Sequence, residues 1–480
     1  MLDYFWIVIG GGIASFVASM GIGANDVGNA FASSVGSKSL TVRQAVAIAS
    51  VFEFGGAILL GSHVTETIRK GISDYECFED KPEIFMYGCF WVMVSVGLWL
   101  FLASYYEMPV STTHSCVGGM VGMTLVTGGS DCVIWYKATD SFPWIGGVSG
   151  IVLSWIISPV FSAITSGSIF YATRSLVLRN KNSFERSYKT FPVFVGLTLM
   201  LNSFFIIYKG GKGIGLDHIS VSLALIISCG VGALSGLSII PFISRMKQRT
   251  LRIYSQHNQQ TVDEQTVDEK SSIRIDEGPV KLIHANAEVF DKKTEESFKY
   301  LQIFTAVCDS FSHGANDVAN AIGPYAAIIT IWMNNGNMSE DVDMGDHSYW
   351  ILGMGGIGIT IGLLLYGYKI IHAMGVKLCC ITPSRGFAIE LGSAIIIIIG
   401  SRLGIPLSTT HCQIGSTMGV ASLEDFKQCS GINWAIVSKT FIGWILTLVV
   451  VGGTSALFVS QGVYAPTMNL PVCNSTDFTP

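Results

Sequence analysis

Gly23-Ala24-Asn25-Asp26-Val27-Gly28-Asn29-Ala30 returns 291 residues later as Gly314-Ala315-Asn316-Asp317-Val318-Ala319-Asn320-Ala321. A second string, Pro109-Val110-Ser111-Thr112-Thr113-His114, returns at an offset of 297 residues as Pro406-Leu407-Ser408-Thr409-Thr410-His411. Two motifs displaced by nearly the same distance mark one duplicated block with small insertions. Such a repeat constrains the fold more than any local propensity does.

The sequence around the repeats is apolar. Half of the 480 residues are hydrophobic, 13% are charged and 53 are glycine, with a mean hydropathy of +0.50; soluble domains carry charge on roughly a quarter of their residues. The composition points to an all-α polytopic membrane protein and away from a soluble enzyme. A net charge of −5, with Lys and Arg scattered, argues against a nucleic-acid partner. Crossing about 30 Å of hydrocarbon takes about 20 mostly apolar residues. Twelve such stretches can be marked, near residues 4–30, 44–62, 84–105, 109–127, 144–172, 192–208, 218–244, 300–332, 350–374, 386–403, 405–422 and 435–462. Interior Gly, Pro, Ser and Asp leave room for broken or re-entrant helices among them. The first stretch reads as a span and not as a cleavable signal, because no basic residue precedes it and its apolar run is too long.

Orientation follows from the basic residues, which stay on the cytoplasmic side. With the N-terminus outside, 7 of the 29 Lys and Arg fall outside and 22 inside. The only two N-x-[ST] sequons, Asn337 and Asn474, both land outside, which allows a glycoprotein with extracellular termini. Seven spans separate the two copies of each motif, an odd number, so each copy runs through the membrane opposite to its partner. That is an inverted-topology repeat, the plan that places a transported solute near the midplane. The domains are then an N-terminal membrane half, 1–244, a C-terminal half, 300–480, and between them a cytoplasmic linker, 245–299, with ten basic and ten acidic residues and a tandem TVDE at 261–269. Its composition reads as largely disordered. Of the eleven cysteines, Cys77, Cys132 and Cys473 fall outside, where one bridge at most can form, and the sequence does not choose it.

The repeated residues suggest chemistry. A carboxylate within an apolar span is costly unless paired, and no Lys or Arg shares a span with Asp26 or Asp317. Oxygens of Asn25, Asp26 and Asn29, and of Asn316, Asp317 and Asn320, suit sodium, and their three- and four-residue spacings share a helix face. Gly23 and Gly314 are expected to let the backbone unwind there. The second motif suits an oxyanion: a proline starts a helix, and Ser111, Thr112 and Thr113, or Ser408, Thr409 and Thr410, add hydroxyls to its free N–H groups. Cation ligands and an anion cradle, each duplicated, imply cation–oxyanion symport. Glu53 and Glu390, unmatched by the repeat, are candidate ion ligands or proton carriers. Asp309 is a candidate for the access path. His114 and His411 read as packing or orienting residues and not as metal ligands.

At these residues the chain resembles the PiT family of inorganic phosphate transporters. The resemblance rests on GANDVGNA and GANDVANA, PVSTTH and PLSTTH, Ser384–Gly392, and Val64–Gly71, the last most like the eukaryotic, sodium-coupled branch. It covers both membrane halves. It implies a homodimeric symporter with elevator-like movement, carrying phosphate with sodium as co-substrate; no resident cofactor is expected, and the plasma membrane is the expected location. The family's sodium role would fall on Asn25, Asp26, Asn316 and Asp317, and its phosphate role on Ser111–Thr113 and Ser408–Thr410. Glu53 and Glu390 match functionally important glutamates of the eukaryotic branch. Gly28 stands where alanine is usual, and the linker is short for that branch. Rival readings are proton coupling, sulfate as substrate, a passive channel, and an intramembrane serine hydrolase at Gly147-Val148-Ser149-Gly150. The hydrolase leaves the duplication unexplained and has no histidine placed as a base.

Overall fold

A computed structural model describes residues 4–139, 144–208, 219–263, 283, 287–338, 347–424 and 431–465. Its helices are α1 (Phe5–Asn25), α2 (Val27–Gly36), α3 (Val42–Leu60), α4 (Ser62–Lys70), α5 (Pro82–Tyr105), α6 (Thr112–Thr127), α7 (Gly147–Thr173), α8 (Ser183–Ile207), α9 (Val221–Asp263), α10 (Lys292–Met333), α11 (His347–Lys377), α12 (Pro383–Arg402), α13 (Thr409–Ala421) and α14 (Trp434–Tyr464). Strand structure among the described residues is one antiparallel pair of two-residue strands, Lys137–Ala138 with Ile145–Gly146.

All twelve apolar stretches are helical, but they are not twelve equal spans. Among the described residues, nine helical runs are long and apolar enough to cross a bilayer. The other three carry three of the four motif copies, the fourth lying in Phe5–Gly36. α6 and α13 have 16 and 13 residues, about 24 and 20 Å at 1.5 Å per residue, short of the roughly 30 Å of hydrocarbon. α10 has 42 residues, and its polar face lowers its hydropathy.

The surface is inverted relative to a soluble protein. Leu234, Val449, Ile442 and Leu364 are each more than 60% exposed, whereas Asp26, Asp317, Glu53 and Glu390 are at most 1% exposed. Apolar outside and charged inside is the arrangement a hydrocarbon solvent selects. The protein is an integral membrane protein.

Two helix crossings bring the motifs together, and both depend on glycine. A Cβ on Gly23 would lie 1.8 Å from the Ile359 carbonyl oxygen, and one on Gly362 1.8 Å from that of Met20, so α1 and α11 meet backbone to backbone. In the second copy, Gly314 faces the Glu53 carbonyl at 2.1 Å and Gly56 that of Phe311 at 2.0 Å, joining α10 to α3. The expected unwinding does not occur at these glycines. α10 runs unbroken through Gly314, and the only break is at Asp26, between α1 and α2. What the glycines supply is close approach, the small-residue packing that membrane helices use.

Cys77 and Cys132, each in a single 3-10 turn, Glu76–Phe78 and Ser130–Cys132, form a disulfide, while Cys473, like Asn474, lies beyond the described residues. The linker differs from its expected disorder at both ends: α9 continues to Asp263 and α10 starts at Lys292, capped by Asp291. Most of the segment between, with the rest of the TVDE tandem, lies outside the described residues. The last linker residues are held firmly. Arg179 donates two 2.9 Å bonds to Glu288, holding that carboxyl below its ordinary range. Arg385 binds Glu424 and the Glu288 carbonyl.

Gly314→Ala and Gly23→Ala should each cost about 1–3 kcal/mol through overpacking, read as a lower unfolding temperature of the detergent-solubilised protein. Gly55→Ala, whose Cβ would meet nothing nearer than 3.9 Å, should leave it unchanged. Equal effects at all three positions would refute the close-packing role.

Candidate functional site

The second motif ends two loops at the centre of the molecule. Ser111 and Ser408 are the N-caps of α6 and α13, each accepting a 3.3 Å bond from the backbone N–H three residues on, at His114 and His411. A serine in this position satisfies one of the free donors of a helix start. The two starts then interlock. Thr113 Oγ1 donates to the Leu407 carbonyl at 2.7 Å, and Thr410 Oγ1 to the Val110 carbonyl at 3.3 Å. Each copy thus bonds the backbone just before the other copy's cap.

Asp26 and Asp317 face this junction from α1–α2 and α10. Thr112 Oγ1 lies 2.9 Å from Asp26 Oδ2 and 3.3 Å from Asp317 Oδ2, and Thr409 Oγ1 lies 3.2 and 2.7 Å from the same two atoms. Thr410 Oγ1 is 2.7 Å from Asp26 Oδ1. Each hydroxyl has a single proton to give, so Thr112 and Thr409 can each serve only one of the two carboxylates at a time. The partner the two carboxylates share is His313, one turn before Asp317, whose Nε2 is 3.2 Å from Asp317 Oδ2 and 3.9 Å from Asp26 Oδ1 and which carries positive charge only when its ring is protonated. Ligand atoms of Asp26, His313 and Asp317 all lie within 4.8 Å of one another, and all three residues are buried. Such a pocket can take a cation.

The asparagines divide. Asn25 turns away from the junction, donating to Ser104 Oγ and the Met108 carbonyl and accepting from the Val110 N–H. It pins the turn that delivers Ser111. Asn316 donates to the Leu407 carbonyl at 3.3 Å, the matching loop in the other half, and its Oδ1 has no hydrogen-bond partner. Asn320 reaches Thr112 and Thr113 at 3.1 and 3.2 Å. The side chain of Asn29 lies outside the described residues.

Glu53 joins the centre through His313 Nδ1, 3.0 Å away, and accepts from Ser310 at 3.2 Å. Glu390 is separate from it. Its carboxyl accepts from Ser33, Ser34, Gln302 and Thr305 at 2.5–3.3 Å. His114 stacks on Trp155 at 3.6 Å and His411 lies 3.5 Å from Trp444, with its Nδ1 2.9 Å from the Trp155 carbonyl. Both histidines brace the helix starts and take no part in the carboxylate cluster.

Reading the sequence for Lys and Arg alone missed His313, the titratable base that does share a helix with Asp317. The signal was its spacing of four residues before an intramembrane aspartate. The partners of Glu390 carried no signal, since Ser33 and Ser34 are more than 350 residues away in sequence. Thr113→Val should remove about 1 kcal/mol of stability by leaving the Leu407 carbonyl unmatched, and Thr410→Val a similar amount by taking a donor from Asp26, its 2.7 Å partner. Melting of the purified variants checks this, and two unshifted unfolding curves would contradict it.

The phosphate transporter family model, PHO4, matches residues 22–455. The chain is 34% identical over 465 residues to the "Inorganic phosphate transporter 2-1, chloroplastic" of Arabidopsis thaliana, covering 95% of this chain and 71% of that one. It is 28% identical over 595 residues to the "Phosphate-repressible phosphate permease pho-4" of Neurospora crassa, covering 97% and 98%. A solved structure of "The sodium-dependent phosphate transporter" superimposes with a TM-score of 0.77 at 31% identity, over 96% of this chain and 100% of that one. Glycine crossings, interlocked helix starts and a buried carboxylate pair are thus built on a shared fold, and the chain belongs to the phosphate transporter family, as a transporter and not an enzyme.

Proposed function

We propose that this protein is a sodium-coupled symporter that imports inorganic phosphate by alternating access, built as twelve membrane segments in two inverted repeats. The observation that carries the proposal is the meeting of two helix N-termini with two carboxylates. The starts of α6 and α13, with Ser111, Thr112, Thr113, Ser408, Thr409 and Thr410, offer N–H groups, hydroxyls and two positive dipole ends to a phosphate. Asp26 and Asp317 stand within hydrogen-bond reach of those same hydroxyls. A phosphate anion cannot enter beside two carboxylates unless cations screen them, because like charges a few ångströms apart in a low dielectric repel by several kcal/mol. Sodium bound by Asp26 with Asn29, and by Asp317 with Asn316 and Asn320, would create the site that phosphate fills, while Asn25 positions the loop that delivers Ser111. Coupling is then an electrostatic necessity of the geometry, and neither ligand moves alone.

The lengths of α6 and α13 support the inverted plan, since each spans only part of the bilayer and both start at the junction. The name of the similar solved structure supports sodium as the coupling ion. One observation favours a proton-coupled variant: His313 links Glu53 to Asp317 at 3.0 and 3.2 Å, a chain able to pass a proton. In either case Glu53 and Glu390 hold or relay the coupling ion. The family resemblance supports a homodimer, and the distribution of Lys and Arg supports extracellular termini, with the plasma membrane as the location.

Asp317→Asn should bring sodium-driven uptake of labelled phosphate into proteoliposomes down to background while the protein stays folded and monodisperse. Coupled uptake like that of the unmodified chain would remove the carboxylate from the mechanism.

A further inference from the structure

Beside α6 runs a groove that no side chain fills. Its floor is glycine: a Cβ on Gly122 would lie 2.2 Å from the Gly452 carbonyl oxygen, and one on Gly452 3.0 Å from that of Gly118, so α6 and α14 meet backbone to backbone. Contact of this kind brings the helices close and leaves no side chain to cover the seam. Val117, Val121 and Leu125 of α6, Val152 and Trp155 of α7 and Val449 of α14 wall the groove, which encloses about 630 Å³. Apart from the Trp155 indole, every side chain that lines it is aliphatic.

The groove is as long as one leaflet is thick. It follows α6 from Val117 to Val126, about 14 Å at 1.5 Å per residue, close to half of the roughly 30 Å of hydrocarbon. An aromatic rim marks one end. Tyr464 donates to the Val126 carbonyl at 2.7 Å, and Trp135, Tyr136, Trp144 and Tyr464 are all exposed, on the side of the Cys77–Cys132 disulfide. Tyr and Trp collect where hydrocarbon gives way to water, because an apolar ring and a polar edge suit that boundary. The other end is Trp155, which stacks on His114 and whose carbonyl lies 2.9 Å from His411 Nδ1, beside the interlocked helix starts. Leu125, Val152 and Val449 are exposed, so the mouth opens on the apolar outer surface.

Apolar walls with no hydrogen-bonding group to orient a ligand call for an apolar occupant, and the surface into which the groove opens is bathed by lipid. A helix of a second copy would cross both leaflets, whereas the lining stops at Val117 and Trp155. A single hydrocarbon tail whose headgroup sits at the aromatic rim matches both the length of the groove and its lack of polar groups. We infer that the groove binds one acyl chain of a phospholipid from the leaflet on the disulfide side. The end of that chain rests on Trp155, so bound lipid props the ring that holds His114 and, with it, the starts of α6 and α13. This lipid site is independent of which ion and oxyanion the centre carries.

A phospholipid with a photoreactive diazirine near the end of one acyl chain, reconstituted with the purified full chain, tests the site, with labelled residues mapped by mass spectrometry of peptides. Labelling of residues 117–126, 148–155 and 448–456 should exceed several-fold that of Leu234 and Leu237, which lie exposed on α9. Gly453→Leu should bring it down to the α9 level: Gly453 lines the groove, and a Cβ there meets nothing within 4 Å, so the new side chain fills the space without displacing a neighbour. Val449→Trp, at an exposed position on the mouth, should do the same and gives the answer if Gly453→Leu does not fold. Groove labelling no stronger than that of α9, or undiminished by both substitutions, would mean ordinary solvating lipid and would overturn the inference. An unlabelled groove in a dimer that Gly453→Leu dissociates would overturn it too, and would assign the groove to a second copy of the chain.

Discussion

Asp26 and Asp317 are buried side by side, sharing the hydroxyls of Thr112 and Thr409, and the rest of the molecule is arranged around that costly pairing. Two carboxylates in a water-poor interior persist only where compensating charge is at hand. Here the groups at hand are His313, when protonated, and the dipole ends of α6 and α13. Each carboxylate belongs to one copy of the duplicated block, so the centre exists only because both copies contribute.

Near-symmetry explains how the chain reaches this geometry. Glycine-mediated crossings bring α1 onto α11 and α10 onto α3, and the exchanged bonds from Thr113 to Leu407 and from Thr410 to Val110 lock the two helix starts together. The departures from symmetry matter as much. His313 has Ile22 as its counterpart at the 291-residue offset, and α1 breaks at Asp26 where α10 does not break at Asp317. Gln302, Thr305 and Asp309 likewise have Gly11, Ala14 and Ala18 as counterparts at that offset, so the Lys292 end of α10 differs in kind from its partner. A transporter must bind the same solute from both sides yet release it on one, and this asymmetry supplies a difference between the sides.

Much of this was legible in the sequence because a bilayer imposes a simple rule. Apolar runs mark the helices, and repeated polar residues within them mark the centre. Reading further required knowing which helices touch. Gly23 and Gly314 offered freedom to unwind or room to pack, and only the neighbouring carbonyls of Ile359 and Glu53 decide for packing. The α6 and α13 stretches were apolar enough to pass for spans; their shortness comes from the caps at Ser111 and Ser408. Asn25 sat in the right motif, but its amide holds the turn at Met108–Val110 instead of facing Asp26. Composition marked residues 245–299 as a polar spacer, yet a helix already under way at Arg245 continues to Asp263 because nothing in that stretch breaks it. The partners of Glu390 come from two other helices, a tertiary fact that no local pattern encodes.

The central claim is that cation and phosphate enter one electrostatic site together. Uptake of labelled phosphate into proteoliposomes of the purified chain tests it most directly, under an inward sodium gradient, then an inward proton gradient, with excess sulfate as competitor. Uptake that needs sodium and ignores sulfate is the expected result. Phosphate flux that proceeds at the same rate with no cation gradient of either kind would contradict it, because the carboxylate pair would then play no part in admitting the anion.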